Sequence, residues 1–371
     1  MPSLSRLRLT RFRSYLAADL RFNGGVVAFT GPNGAGKTNI LEAISLLAPG
    51  RGLRGARIAE VAMHGAPSWA VSGHFDDAVD GFEVGTGSLD EGGPERRAFR
   101  LDGGKLRSQA ELTERLAMVW LTPQMDRLFQ EPPSGRRRFL DRLVLALEPS
   151  HAAQVSRYET AMANRNRLLA EGGADPAWLD ALEDAMAGHG VATAAARRVA
   201  VAQLGAALSG GVSGAFPAAH LALQCPAAEL LDRMPALAAE EALREGWRSG
   251  RSRDAGAGAT LLGPHRADLL FTHAGKEMPA QLCSTGEQKA LLVSTVLAHA
   301  GLVGGRRGLV PLLLLDEVAA HLDAERRAAL LAALAALPVQ SFLTGTERET
   351  FGGGVQNFRV ENGTATPDPL P

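Results

Sequence analysis

Residues 3–30 alternate apolar and polar side chains around a Gly24-Gly25 turn. Leu7 and Leu9, then Leu20 and Phe22, then Val26 to Phe29 form the apolar sets. A two-residue period predicts strands. The period then changes: Ile40, Leu41, Ile44 and Leu47 recur at helical spacing and predict a helix over residues 39–47. Residues 68–107 are strand-like again, with an expected hairpin of 96–101 and 105–107 turned at Asp102-Gly103-Gly104. Val119-Trp120-Leu121-Thr122 predicts another short strand. From 134 to 250 the chain is rich in Ala, Leu, Arg and Glu at helical spacing, with breaks expected at Pro149, Gly172-Gly173, Gly188 to Gly190, Gly210-Gly211 and Pro226. The small residues of 252–258 read as a flexible linker. Strand-like sequence resumes at 259–262 and 268–272, helix and strand then alternate, and the polar, Pro-rich tail from 362 is expected to fray.

A length of 371 residues suits two domains or one large domain with an insertion, and 46% apolar residues supply a proper core. The pattern assigns 1–126 and 256–371 to one α/β unit and 127–255 to a helical insertion. The net charge of −1 does not advertise a polyanionic partner. Its distribution is uneven, since residues 1–142 hold 20 Lys and Arg against 16 Asp and Glu, which permits a basic face there. Cys225 and Cys283 give neither a disulfide framework nor a metal-binding spacing, as expected of a reducing cytosol. With no apolar leader and no bilayer-length apolar run, the expectation is a soluble cytoplasmic protein without membrane contact.

Candidate chemistry is concentrated at Gly31-Pro32-Asn33-Gly34-Ala35-Gly36-Lys37-Thr38, followed by Asn39, between the strand ending at Thr30 and the next helix. This is the phosphate-loop pattern. Glycines let backbone N–H groups face phosphate oxygens, the helix N-terminus adds positive potential, Lys37 can reach the outer phosphates, and Thr38 can ligate Mg²⁺. A Gly-rich turn without a ligand is the plain alternative, but the chain has only four lysines, and one of them falls here. An apolar run from Val310 ends in Asp316 and Glu317, as a buried parallel strand delivering acids to a ligand site would. Asp316 is the candidate to hold Mg²⁺ through water, and Glu317 the candidate to polarise an attacking water.

Ser284, followed three residues later by Glu287, predicts a capped helix start. The spacing of Ser284, Gly286 and Gln288 also resembles the signature of ATP-binding-cassette ATPases, and Ala319-Ala320-His321-Leu322-Asp323 resembles their D-loop. That resemblance implies an ABC-type ATPase head, a P-loop parallel or mixed sheet with an antiparallel β part. It also implies a site completed by the signature of a second copy, with ATP as the glue of a homodimer.

Four stretches narrow the class: residues 7–15, residues 34–52, Arg136-Arg137-Arg138-Phe139-Leu140-Asp141, and Leu262-Gly263-Pro264-His265-Arg266-Ala267-Asp268-Leu269. In these the chain closely resembles the RecF family of bacterial recombination mediators, related to SMC-type heads. The resemblance implies a weak, DNA-dependent ATPase used as a switch, with ATP and Mg²⁺ as cofactors. It further implies binding to double-stranded and gapped DNA, and help in loading RecA on single-stranded gaps together with RecR and RecO.

Candidate DNA contacts are Arg51, Arg54 and Arg57, then Arg96, Arg97 and Arg100, then Arg136, Arg137 and Arg138; for each cluster a solvated or ion-paired role is the equal alternative. Gln124, with Asp126 beside it, stands where a Q-loop belongs, and Asp323 where the D-loop acid belongs. No histidine follows Ser341-Phe342-Leu343, leaving Thr344 or Thr346 for the switch position. His265 and Arg266 read equally as structural pins or as contacts to nucleotide or partner, and Arg11 and Arg13 as candidates for the adenine or α-phosphate. Two other classes compete: an energy-coupling ATPase subunit of a membrane complex, and another SMC-like head, which would normally carry a long heptad coiled coil that this chain lacks.

Overall fold

The computed structural model describes residues 3–77, 81–89, 93–106, 108–173, 175–211, 215–320, 322–352 and 354–368. Arg107, His321, the side chain of Arg96 and the last three residues of the tail lie outside the described residues. Two compact units emerge, one of Met1–Asp126, Gly211–Pro217 and Ser284–Pro371, the other of Arg127–Gly210 and Ala218–Cys283.

The first unit opens with strands β1 (Ser3–Phe12), β2 (Tyr15–Arg21) and β3 (Val26–Thr30) and helix α1 (Lys37–Ser45). Strands β4 (Ala70–Asp76), β5 (Phe82–Leu89), β6 (Gly93–Leu101) and β7 (Gly104–Lys105), helix α2 (Gln109–Arg115) and strand β8 (Met118–Leu121) follow. The second unit holds α3 (Pro133–Leu147), α4 (His151–Glu171), α5 (Pro176–Ser209), β9 (Ala219–Gln224), α6 (Pro226–Leu231), α7 (Ala236–Ala257), β10 (Asp268–His273) and β11 (Met278–Pro279). The chain then returns to the first unit as α8 (Thr285–Arg307), β12 (Leu312–Leu315), α9 (Ala324–Ala336), β13 (Ser341–Gly345), β14 (Gln356–Glu361) and β15 (Thr364–Pro367).

Two six-stranded sheets build the first unit. One is antiparallel throughout, in the order β2-β1-β4-β5-β6-β7. The other runs β15-β14-β3-β13-β12-β8 and is parallel except at β14–β15. Apolar residues of α1 and of both sheets share one core, in which Phe22 meets Phe29, Phe342 and Phe358 edge-on with ring centroids 5.1–6.2 Å apart. Each such buried ring contributes roughly 1.5–3 kcal/mol. Gln340 fixes the start of β1 by accepting from the Leu4 N–H at 2.7 Å and donating to its carbonyl at 2.9 Å. In the parallel sheet β3, β13, β12 and β8 are consecutive neighbours, so their carboxyl ends form one continuous edge.

Several expectations are corrected. The tail does not fray at 364–367, which pair with β14 across an Asn362-Gly363 turn with φ of 47° and 72°. Asn-Gly is the strongest two-residue hairpin signal. The break expected at Gly188 to Gly190 is absent because α5 continues through it, and a Cβ on Gly190 would lie 3.2 Å from the Tyr158 ring of α4. There, glycine serves close helix packing. Residues 252–258 are no linker: α7 runs to Ala257, and its buried Asp254 accepts from Arg165 at 2.8 Å. Residues 259–262 form no strand. Their Thr260 instead accepts from Arg165 at 3.0 Å and donates to Asn166 at 2.7 Å.

The second unit runs to Cys283, past the expected limit at 255, because β10 pairs with β9, within the stretch read as helical. β9 is Ala-His-Leu-Ala-Leu-Gln, largely good helix formers, and pairing with Leu269 and Phe271 overrides that propensity.

Candidate functional site

The edge formed by β3, β13, β12 and β8 collects the candidate chemistry, as the carboxyl ends of parallel strands do. After β3 the chain turns through Gly31, whose φ is 146° and where a Cβ would lie 2.2 Å from the Val360 carbonyl oxygen. Only glycine fits. The loop closes at Gly36, with φ of 113°, whose carbonyl accepts from the Tyr15 hydroxyl at 3.1 Å; burial pushes that phenol's pKa up. Lys37 then begins α1, its Nζ donating to the carbonyls of Gly31 at 2.7 Å and Pro32 at 2.9 Å. Burial lowers the pKa of this ammonium, and the carboxylates of Glu317 and Asp316 oppose the shift.

Beyond β12, Asp316 is tied by two hydroxyls, one at the end of this loop and one on β13. Asp316 Oδ1 accepts from Thr38 Oγ1 at 2.9 Å and from Thr344 Oγ1 at 2.8 Å. Burial raises the Asp316 pKa, while those hydrogen bonds pull it back. Thr344 also accepts from the Glu317 N–H at 2.8 Å, holding a residue whose φ of 49° is left-handed. A cavity of about 220 Å³ opens beside this set, lined by Thr38, Leu53, Arg54, Thr122, Pro123, Gln124, Asp316 and Glu317. Thr38 and Asp316 present hard oxygens to one point, a donor set that fits Mg²⁺, which takes one or two protein oxygens and completes its shell with phosphate and water.

Of the two switch candidates, Thr344 is buried and touches the acids, whereas Thr346 is exposed. Ser284 is the N-cap of α8, donating to Glu287 Oε2 at 2.9 Å and accepting from the Glu287 N–H at 3.4 Å, and it is exposed. Gly286 is half-buried, Gln288 is buried, and Asp323 is exposed at the start of α9, where it accepts from the Arg326 N–H at 2.8 Å. None of these four is among the described residues lining the cavity.

The arginines divide sharply. Arg136 is committed to structure: it forks Asp268 with two bonds of 2.7 Å and donates to the Glu131 carbonyl at 2.6 Å, so it is withdrawn from the DNA candidates. Arg137 is also turned inward, donating to the Ala267 carbonyl at 2.9 Å. Arg138 alone of the three is well exposed. Arg97 is half-buried and caps the end of α1, donating to the carbonyls of Leu46, Ala48 and Gly50, and desolvation of its guanidinium lowers its pKa to about 9. Arg13 forks Glu42 at 2.6 and 2.8 Å, which withdraws it from the nucleotide candidates, while Arg11, Arg51 and Arg57 are exposed. Arg54 lines the cavity and lies 3.5 Å from Glu42. His265 is a structural pin, bonded to the Tyr158 hydroxyl at 2.7 Å and the Thr260 carbonyl at 2.8 Å; Arg266 is exposed.

Two residues escaped the sequence reading. Glu42, fully buried in α1, is marked in the sequence only as an acid within an apolar stretch. Lys289, buried on α8, is one of the four lysines.

The family model for the RecF/RecN/SMC N terminal domain matches residues 3–366. The DNA replication and repair protein RecF of Mesorhizobium japonicum is 49% identical over 98% of this chain and 97% of its own length. That of Agrobacterium fabrum is 50% identical over 98% of each. The chain belongs to the RecF family. The RecF fold is evident too: the recombination mediator protein RecF-ATPrS of the RecFOR pathway superposes with a TM-score of 0.88 at 23% identity, covering 99% of this chain and 98% of that one. The Smc head domain of Pyrococcus furiosus gives 0.56 at 16% identity, covering 100% and 96%. The ABC-type head expected from the motifs is therefore the fold of this RecF-family chain. Among the described residues, no helix is long and apolar enough to cross a membrane.

Proposed function

We propose that this chain is an ATP-switched DNA repair protein. It binds ATP with Mg²⁺ at the phosphate loop, dimerises through the bound nucleotide, and hydrolyses it slowly to reset. The observation that carries the reading is the hydrogen-bonded set Thr38–Asp316–Thr344–Glu317, which gathers the ends of three neighbouring strands at one cavity. Lys37 is held by two neutral carbonyls that phosphate oxygens can replace. Thr38 and Asp316 would hold Mg²⁺, the latter through water; the bound ion would neutralise charge on the outer phosphates. Glu317 faces the cavity with Gln124 and orients the attacking water. Arg54 faces it as well. Because Arg13 already forks Glu42, the Arg54 guanidinium can turn to a phosphate, so we assign it to nucleotide and not to DNA.

Ser284, Gly286 and Gln288 belong to the site of the opposite protomer, contacting its terminal phosphate, and Asp323 lies in the same interface. DNA binding, in duplex and gapped form, and work alongside RecR, RecO and RecA are part of this reading, supported by family membership and by the RecFOR pathway named for the structural relative. Sedimentation with gapped DNA tests the whole reading. A dimer on DNA is expected with ATP and Mg²⁺ and not without them. Lys37→Ala should lose nucleotide binding, and Glu317→Gln should keep it and trap the dimer. ATP-dependent dimers that ignore DNA would instead favour an energy-coupling subunit.

A further inference from the structure

Lys289 places a charged group where three parts of the candidate site meet. Its side chain is buried, and burying an ammonium is costly unless oxygen partners replace water. Two do so: Asp126 Oδ2 at 3.3 Å and the Glu317 carbonyl at 3.4 Å. Asp126 belongs to the same short 3₁₀ turn as Gln124, and both Gln124 and Glu317 line the cavity. Lys289 itself sits on α8, the helix that Ser284 caps.

The Glu317 backbone is thereby held on both sides of its Cα, its N–H by the Thr344 hydroxyl and its carbonyl by Lys289. Its φ of 49° is one that residues with a side chain seldom adopt, and such a conformation persists only where contacts enforce it. A buried ion pair made only for stability would need Asp126 alone. Contact with the Glu317 carbonyl joins α8 to the backbone of the water-orienting acid.

We propose that Lys289 is a positioning residue that couples a protomer's own nucleotide site to the signature helix it offers to the opposite protomer. This rests on the composite-site reading above. Nucleotide settling against Gln124 and Glu317 fixes the two oxygens that Lys289 holds. Lys289 then fixes the first turns of α8, including Ser284 five residues away on the same helix. Coupling of this kind is reciprocal, so engagement of Ser284 by a partner also steadies Glu317.

The experiment uses the full chain in the Glu317→Gln background, where turnover does not drain the ATP state. Dimer affinity with ATP and Mg²⁺ is measured by sedimentation. Affinity for a fluorescent ATP analogue is measured below the dimerising concentration. Adding Lys289→Met should weaken the dimer about tenfold or more while monomer nucleotide affinity stays within about threefold. Lys289→Arg, which keeps the charge, should restore the dimer to within about threefold of the parent. A Lys289→Met dimer as tight as the parent's would overturn the proposal, and so would equal losses with Arg and Met, which would mean packing and not charge. If Lys289→Met fails to fold, Asp126→Asn in the same background carries the test, with a weaker dimer expected and an unchanged one overturning the coupling. Failure of the Glu317→Gln parent to dimerise would overturn the composite-site reading and this proposal together, a result visible before any Lys289 variant is compared.

Discussion

Asp316 is buried, accepts two hydroxyl donors on one oxygen, and lies next to a second acid. Burial raises its pKa above the ordinary carboxylate value, so the folded chain takes up this proton more readily than the unfolded one. The contribution to stability is therefore full at low pH and is lost as pH rises through the raised value. The proposed Mg²⁺-nucleotide binding would need the ionised form and run the opposite way, weakening as pH falls toward that value. Asp316→Asn should accordingly raise the melting temperature of the nucleotide-free chain at neutral pH and weaken Mg²⁺-dependent nucleotide binding at least about tenfold. Melting curves and nucleotide titrations from pH 5 to 8 check both, and a variant that melts lower would refute the burial cost. The identity of this acid was legible because a phosphate loop and an apolar strand ending in Asp-Glu are local patterns. The partners were not. Thr344 was legible only as one of two switch candidates, and its bonds to Asp316 and Glu317 decide between them. Glu42 and Lys289 act through contacts made by residues distant in sequence, and nothing in their neighbours marks them. For the arginine triplet at 136–138 the DNA and ion-paired readings stood equal in the sequence, since only the fold brings Asp268 to Arg136.

Among the elements, strands and helices with a clear period were legible, and those decided by tertiary pairing were not. β3, α1 and β12 stand where the apolar pattern predicts them, because each is buried against neighbours that want the same spacing. β9 and the unbroken α5 depend on a partner strand and on the Tyr158 ring, neither of which a local window contains. Helix α8 was readable at its start, and it carries two roles that can be separated. Ser284 caps the helix, and its exposed hydroxyl, which donates to Glu287 here, would turn that proton to a phosphate. Ser284→Asp keeps a good N-cap, so thermal stability should change by only a few tenths of a kcal/mol, whereas loss of a cap costs about 1 kcal/mol. Its carboxylate would nonetheless meet the partner's terminal phosphate, and ATP-dependent dimerisation should fail by sedimentation while monomer nucleotide affinity is kept. A normal dimer from this variant would remove Ser284 from the composite site.

For the whole molecule, charge must be counted by what is free to act. The near-neutral total hides a basic first portion, and much of its arginine is already spent inside the fold: Arg13 on Glu42, Arg97 on the carbonyls closing α1, Arg136 on Asp268. Among the first and third arginine clusters, Arg51, Arg54, Arg57 and Arg138 are exposed, and Arg54 is set aside for the nucleotide. The proposed DNA binding by these residues would be dominated by phosphate contacts, because the sequence carries no groove-reading motif. Affinity for duplex should then fall linearly with salt on logarithmic axes, and each arginine that truly meets a phosphate adds about 0.9 to the slope. Replacing Arg51, Arg57 or Arg138 by Ala should flatten the slope by about that amount for each phosphate left without its arginine, with little change in melting temperature. Arg136→Ala should do the reverse. It strands Asp268 in a largely buried site, costing about 3 kcal/mol of stability, yet leaves the salt slope unchanged when binding is measured well below its melting point. Titration of labelled duplex from 50 to 200 mM salt, with ATP present, separates the two groups. A slope that ignores Arg51, Arg57 and Arg138 would move the DNA surface elsewhere on the molecule, and a slope that responds to Arg136 would return that buried pair to the interface.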